Sequence, residues 1–441
     1  MNDPKNVLIG KIGKTVQFKK CVVSTGGDAP VIFYTMIAKM NPEYTFYFIG
    51  PNDLHKLSAK EYEMLFPAKN VKSAYKKGDD YLSSYNSIFE YFKENNITPD
   101  FALLFNGLCG STNIPNYTPK VDGSGIAKIM QAFEKYSGPY INALNKIGCP
   151  FYLISEDARY ITVMARDIIN QPRLIFTQTN GEFETMKHRK SDEDPTLVPG
   201  EKLKAIYAGT EKIFLMGLGK DWQDRIHPEN KVNLDGEKVI ILSNGCGTSK
   251  INHPGDNASR LPEYKKWIFD NFKGTPYENT KIYGSWAKEI YEEYPQIIDK
   301  KIYELDDEID KAKYTLCYSQ VPGFVTNKAW EMICLGLIPF LHPDYDKDHL
   351  LNLPDYLYLK DPKEFLDKIN ELESDPEKYI CLMTSLVEYI KPAWVNGKAL
   401  NNYILGKIAE DMGFKYEKKN GLDFDDKIVF GRFNKNPLEL K

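Results

Sequence analysis

Apolar runs of strand length recur along the chain with helically spaced segments between them, the pattern of a parallel sheet covered on both faces. In the first half the clearest strands are predicted at 44–49, 101–105 and 151–154, and between them 81–95 and 126–147 carry apolar residues at helical spacing. A polar stretch at 188–200 (HRKSDEDPTLVPG) then brings charge, two prolines and a glycine, which marks a boundary or a long surface loop. Beyond it the alternation restarts. Strands are predicted at 238–242, 281–283, 314–318, 338–341 and 356–359, with helices at 262–271, 327–335, 362–373 and 376–389. This is a second doubly wound α/β unit. The segment 393–412 is helical in pattern and is expected to run back across the first lobe, whereas 414–441 is polar and aromatic without a clear period. The expected division is 1–200, 201–392 and a returning segment 393–441, with no internal repeat or low-complexity tract.

Length and composition fit that division. A chain of 441 residues exceeds the size at which single cores stop growing, and 42% hydrophobic with 27% charged residues can bury two of them. Lys and Arg number 57 against 61 Asp and Glu, so the net charge of −4 provides no global field toward nucleic acid or an anionic membrane. Any polyanion must be met by a local patch. Seven scattered cysteines, never spaced C-x-x-C, disfavour a disulfide framework and a zinc site and fit a reducing compartment. The six histidines show no H-x-x-x-H pairing, which disfavours a protein-ligated transition metal and leaves room for a divalent ion, Mg or Mn, held by phosphates. The opening MNDPKNVLIGKIGK does not read as a signal peptide, and no run approaches the roughly 18–20 apolar residues of a membrane span, so a cytoplasmic protein is expected.

Ligands of doubly wound sheets bind beyond the carboxyl ends of the strands, which directs attention to the residues that follow each predicted strand. Ser155-Glu156-Asp157-Ala158-Arg159 follows 151–154. A carboxylate there can take the proton from an acceptor hydroxyl; the same run also reads as a helix cap paired with Arg159. After 238–242 comes LSNGCGTSK, in which Ser243, Gly245, Gly247 and Lys250 can surround a phosphate. It matches neither a P-loop nor G-x-G-x-x-G, and a plain glycine turn fits as well. The segment GFVTNKAWE (323–331) opens a helix whose amino terminus favours a diphosphate, with Lys328 adding charge and Glu331 able to accept from ribose hydroxyls. Glu331 is also an ordinary first-turn acid. In VSTGGDAP (23–30), Asp28 can bind sugar hydroxyls or cap a helix with Pro30 in its first turn. Lys11, Lys14, Lys19 and Lys20 surround that loop and can touch phosphates or form a solvated face. Asn106 and Gly284, directly after 101–105 and 281–283, complete the candidates on the acceptor and donor sides.

Taken in order, these motifs resemble the bacteriophage DNA β-glucosyltransferases of the T-even type, GT-B enzymes that add glucose to 5-hydroxymethylcytosine in DNA. The stretch IGKTVQFKKCVVSTGGDAPVIFYTMIAKM is similar to the family's first loop and helix and places Asp28 at a sugar-contacting acid. YLISEDAR is similar to the strand followed by Asp-x-Arg, which implies Asp157 as the catalytic base with Arg159 beside it. VTNKAWEMICLGLIPFL is similar to the helix carrying a basic residue, Trp and Glu, implying that Glu331 binds the donor ribose and Lys328 the diphosphate. The chain departs from the pattern in three places. Lys328 stands where the family has arginine, which loses the bidentate fork. Two arginines expected soon after 238–242 are replaced by Lys250 and Arg260 as the nearest basic residues, and 188–200 and the tail after 414 have no counterpart.

The resemblance implies a GT-B fold, two Rossmann-like doubly wound domains facing a central cleft, with Asp157 on one wall and Lys328 and Glu331 on the other. It implies inverting transfer from a nucleotide sugar, a UDP-sugar such as UDP-glucose, to a hydroxylated pyrimidine flipped out of duplex DNA in an infected bacterial cell. Lys14, Lys19, Lys20, Asn106 and Arg159 would face the DNA, and Mg or Mn would accompany the donor diphosphate. Two alternatives stand beside it: a GT-B transferase acting on a glycan, protein or small molecule, which the acidic net charge favours, and a non-catalytic protein that binds DNA or a nucleotide sugar.

Overall fold

A computed structural model describes residues 5–12, 29–49, 68–73, 90–106, 146–155, 173–177, 205–207, 227–243, 260–286, 288–300, 304–319, 325–326, 328–390 and 397–422. The chain forms two compact units, Met1–Gly217 together with Pro392–Lys441, and Leu218–Lys391. The division expected at 200/201 lies outside the described residues.

Among the described residues the first unit is built on seven parallel strands. In chain order these elements are β1 (Asn6–Ile12), helix α1 (Ala29–Met40), β2 (Thr45–Ile49), β3 (Val71–Ser73), β4 (Phe101–Asn106), β5 (Phe151–Ser155), β6 (Ile175–Thr177) and β7 (Ala205–Tyr207). They are arranged β3-β2-β1-β4-β5-β6-β7. Strands β4 and β5 read as unbroken apolar runs because both of their faces are covered, and Phe101 to Leu104 and Phe151 to Ile154 are buried throughout. Strand β1 is central, pairing Leu8 with Tyr47 on one side and Ala102 on the other. Its sequence, NVLIGKI, offers only a short apolar run beside Gly10 and Lys11, so periodicity alone does not announce it. The strand order reverses between β1 and β4. Of the predicted helix at 81–95, residues 90–95 are described and 90–94 of them are helical, and of 126–147 only 146–147 are described.

The second unit repeats the plan: β8 (Ile240–Leu242), α2 (Leu261–Tyr264), β9 (Lys281–Tyr283), α3 (Lys288–Glu293), β10 (Ile297–Ile298), α4 (Asp306–Asp310), β11 (Tyr314–Cys317), α5 (Lys328–Cys334), β12 (Ile338–Leu341), α6 (Pro362–Ser374) and α7 (Pro376–Ile390). Helix α2 widens into a π-helical turn over Lys265–Asp270. The strands run β10-β9-β8 and β11-β12, all parallel, and a bridge between Val239 and Tyr314 joins the two ladders. The order is therefore β10-β9-β8-β11-β12, with its reversal between β8 and β11, the doubly wound arrangement. Residues predicted as a strand at 356–359 instead form a 3-10 turn, Asp355–Leu357, followed by a single bridge from Tyr358 to Leu341. The alternating YLYL has a strand's pattern, but the chain turns at Pro354, whose carbonyl accepts from Leu357 N at 2.9 Å. Helix α6 starts where the sequence places it, with Pro362 in the first turn and Asp361 accepting from Glu364 N at 2.8 Å. At its far end Glu373 takes Lys238, Lys313 and the Tyr314 hydroxyl, closing the amino edge of the sheet.

Helix α8 (Lys398–Met412) belongs to the first unit. Leu400, Ile404, Leu405 and Ile408 are buried in one core with Val7, Phe33, Ile37, Phe101 and Tyr152. The helix begins at Gly397 in the left-handed region (φ 69°), and a Cβ there would lie 2.8 Å from the methyl carbons of both Met36 and Met40, so a glycine permits the approach. Asn41 Nδ2 donates to Asn401 Oδ1 at 2.8 Å, and Tyr152 OH to Asp411 Oδ2 at 2.5 Å, which pin the helix at both ends. No helix among the described residues is long and apolar enough to cross a membrane.

Candidate functional site

In the second unit the candidates gather at the carboxyl edge of the sheet, around the reversal between β8 and β11. Ser243, the residue after β8, is held on three sides. Its N–H donates to Tyr283 O at 2.8 Å, its carbonyl accepts from Trp286 Nε1 at 3.0 Å, and its hydroxyl accepts from Arg260 Nη1 at 2.7 Å. The two donor-side candidates Ser243 and Arg260 are thus in contact, across 17 residues of chain. Gly284, after β9, has a φ of 151° that disfavours a side chain, and its backbone bonds Ile298 O at 3.1 Å and the Tyr291 hydroxyl at 3.2 Å. It shapes the exit of β9. Gly245, Gly247 and Lys250 lie outside the described residues.

Lys328 and Glu331 sit on α5, and both reach the electrostatic neighbourhood of Cys317, the last residue of β11. Burial pushes the Cys317 thiol up to about 12, with Lys328 lowering it and Glu331 raising it. Lys328 and Glu331 therefore lie within electrostatic reach of the carboxyl end of β11, beside the reversal point. The start of α5 differs from the simple expectation of open amides facing a diphosphate. Lys328 N donates to Thr326 Oγ1 at 3.4 Å and Ala329 N to the Tyr345 hydroxyl at 3.2 Å, so these two amides are engaged within the protein.

Sequence reasoning did not find the cluster beside them. His342 follows β12 and is buried, with its ring centroid 4.6 Å from those of both Trp267 and Tyr318. Its Nδ1 accepts from Asp344 N at 3.0 Å, and its Nε2 faces Glu263 Oε2 at 3.3 Å. Glu263 Oε2 also accepts from Trp267 Nε1 at 3.0 Å. The phenol of Tyr318 is pushed up to about 12 by burial and by Glu263, Asp344 and Tyr264, against Arg260. One charged and aromatic cluster thus runs from Arg260 to His342. The only local signal was position: Tyr318 and His342 each directly follow a strand end.

In the first unit, Lys14, Lys19, Lys20 and Asp28 follow β1 in sequence and Asp157 and Arg159 follow β5; all six lie outside the described residues. Asn106 is the last residue of β4, in register with Ile12 and Ser155. Among the described residues, no group of three or more His, Cys, Asp or Glu is placed to hold a metal ion.

No protein-family model matches the sequence, and none of the curated proteins does. Solved structures do match. The DNA-modifying β-glucosyltransferase crystallised with and without uridine diphosphoglucose aligns with 93% of this chain and 100% of its own, with a TM-score of 0.50 and 12% identity. Anabaena HepE bound to UDP and glucose aligns with 92% of this chain and 99% of its own, at a TM-score of 0.48 and 8% identity. T4 phage β-glucosyltransferase bound to UDP and Mn2+ aligns over 92% and 99%, at 0.47 and 12%. The first likeness, spanning both chains, identifies the fold as GT-B, two Rossmann-like doubly wound units.

Proposed function

We propose that the chain is an inverting glycosyltransferase that uses a nucleotide sugar, a UDP-sugar, and glycosylates a hydroxylated pyrimidine in duplex DNA, in the cytoplasm of an infected bacterium. What carries the reading is the placement of Lys328, Glu331, Arg260 and Ser243 at the strand-order reversal of the second unit of a GT-B fold. That is where doubly wound sheets take a nucleotide. The β-glucosyltransferase of similar fold has uridine diphosphoglucose as its substrate and modifies DNA, which supports the same donor and acceptor classes here.

In this reaction Asp157 takes the proton from the acceptor hydroxyl, and the oxygen forms its bond to the anomeric carbon as the bond from that carbon to the diphosphate breaks. The leaving diphosphate carries the displaced electron pair. Lys328, Lys250 and the amides of the 243–250 loop neutralise it, preorganised electrostatics of the kind that contributes most to catalysis. Glu331 accepts from the ribose hydroxyls and Asp28 from the sugar. Arg260, bonded to Ser243 Oγ, adds its charge on the donor side. A divalent cation, Mg or Mn, would be held mostly by the donor's phosphates and would help to neutralise their charge. Lys14, Lys19, Lys20, Asn106 and Arg159 supply the DNA side.

The test is mass spectrometry of nucleosides from hydroxymethylated duplex DNA incubated with the protein and a panel of nucleotide sugars. A base heavier by one sugar residue is expected. Asp157→Ala should slow its formation by about 10²–10⁴-fold, the usual share of a general base. Unchanged transfer by that variant would remove Asp157 from the mechanism. The net charge of −4 favours a second acceptor class, a glycan, protein or small molecule. Donor turnover with unmodified DNA products would select it.

A further inference from the structure

We infer that the hydroxyl of Tyr345 is the positioning group of the donor site, fixing the start of α5, the helix that carries Lys328 and Glu331; this rests on the nucleotide-sugar reading above. Tyr345 is fully buried, where a phenylalanine would fill the same volume without needing polar partners. Its hydroxyl has three, all in one short segment. It donates to Thr326 O at 2.7 Å, lies 2.9 Å from Thr326 Oγ1 and accepts from Ala329 N at 3.2 Å. The backbone N–H of Tyr345 donates to His342 O at 2.8 Å, which ties the ring to the exit of β12. A single side chain thus links the exit of β12 to the entry of α5.

The link matters because the described part of α5, Lys328–Cys334, is short, and a short helix holds its direction through outside contacts. Its apolar face, Ala329, Trp330, Met332, Ile333 and Cys334, is buried and sets its depth. The angle at which Lys328 and Glu331 emerge is set at the start of α5, where Thr326 and Ala329 meet the Tyr345 hydroxyl. Removing the hydroxyl leaves the Ala329 amide and the Thr326 carbonyl to find new partners in a dry site, and the start of α5 shifts to supply them. Burial raises the Tyr345 phenol well above its usual range, aided by Cys317 and Glu331, which places all three in one neighbourhood. The phenol stays protonated and keeps its donor role at any working pH.

The experiment is calorimetric titration of the full-length protein with UDP. Tyr345→Phe is expected to weaken UDP binding by about five- to fiftyfold, the effect of leaving a buried polar group unmade. Tyr358→Phe, which removes the 2.7 Å bond from another phenol to Asp346 after the same strand, is the control and should stay within about twofold. Because Tyr345 acts through Lys328, Tyr345→Phe added to Lys328→Ala should weaken binding by much less than it does alone. A merely structural role would lower the melting temperature of both phenylalanine variants and leave UDP affinity alike in both. Should Tyr345→Phe fail to fold, Thr326→Val cuts one of the hydroxyl's partners and should weaken UDP binding by about two- to fivefold. Wild type that binds UDP while Tyr345→Phe or, in its place, Thr326→Val binds it equally well overturns this inference alone. Wild type that binds no UDP overturns the UDP-sugar reading and the inference with it.

Discussion

His342 shows how much chemistry a single buried ring can carry. The Asp344 N–H can only donate, so the Nδ1 it meets at 3.0 Å is an acceptor and the ring proton sits on Nε2, directed at Glu263. The ring is neutral. Burial lowers its pKa from the usual 6.5, opposed by Glu263 and Asp344 and helped by Lys266. A folded-state pKa below the unfolded one means that the unfolded chain binds the extra proton in the window beneath about 6.5. The contribution of His342 to stability is therefore full above that window and is lost as pH falls through it. His342→Gln should be less stable than wild type at pH 7.5, and the gap should narrow toward pH 5 in thermal melts. A gap that stays constant with pH would refute the neutral, buried assignment. None of this was legible locally, because Glu263 and His342 stand 79 residues apart. Ser243 was legible from its place after a strand, and Arg260 only as one of the nearest basic residues to where the resembled family has arginines; the bond between them was not.

At the scale of elements, the ion cluster at Glu373 locks α6 to two strands. Lys313 has 2% of its side chain exposed and Glu373 14%, and Tyr314 OH adds a bond of 2.8 Å. Burial pushes the Glu373 carboxyl up, but the hydrogen bonds from Lys238, Lys313 and Tyr314 outweigh it and hold it below the ordinary carboxylate range. Breaking such a pair strands a buried ammonium. Glu373→Gln should cost about 3 kcal/mol in urea unfolding, whereas Lys363→Ala, whose pair with Asp367 is exposed, should cost under about 0.5 kcal/mol. Equal losses in the two variants would show that the cluster is solvated. Elements with two covered faces, such as β4, β5 and β12, were legible because burial on both sides leaves an unbroken apolar run. Strand β1 was not, since its VLI core is short, and 356–359 imitated a strand while a turn at Pro354 prevailed.

For the whole molecule, the central question is what a chain of net charge −4 does near DNA. A DNA acceptor requires a local basic surface that overcomes the overall field, and phosphate contacts announce themselves through counterion release. Fluorescence anisotropy on a hydroxymethylated duplex should show affinity falling at least about tenfold between 50 and 200 mM salt. Binding that barely changes over that range would move the acceptor to another class. The sequence by itself determined the doubly wound α/β plan, through strand-length apolar runs alternating with helical spacing. Through the rule that ligands sit beyond strand ends, it also determined where donor chemistry was to be sought. Both are local properties of the chain. Only the tertiary structure decided that Arg260 meets Ser243, that Glu263 meets His342, that the Tyr345 hydroxyl meets Ala329 N, and that α8 closes the core of the first unit. Those contacts join residues far apart in sequence, and their partners are chosen by packing and by the need to pair buried polar groups, which no local periodicity encodes.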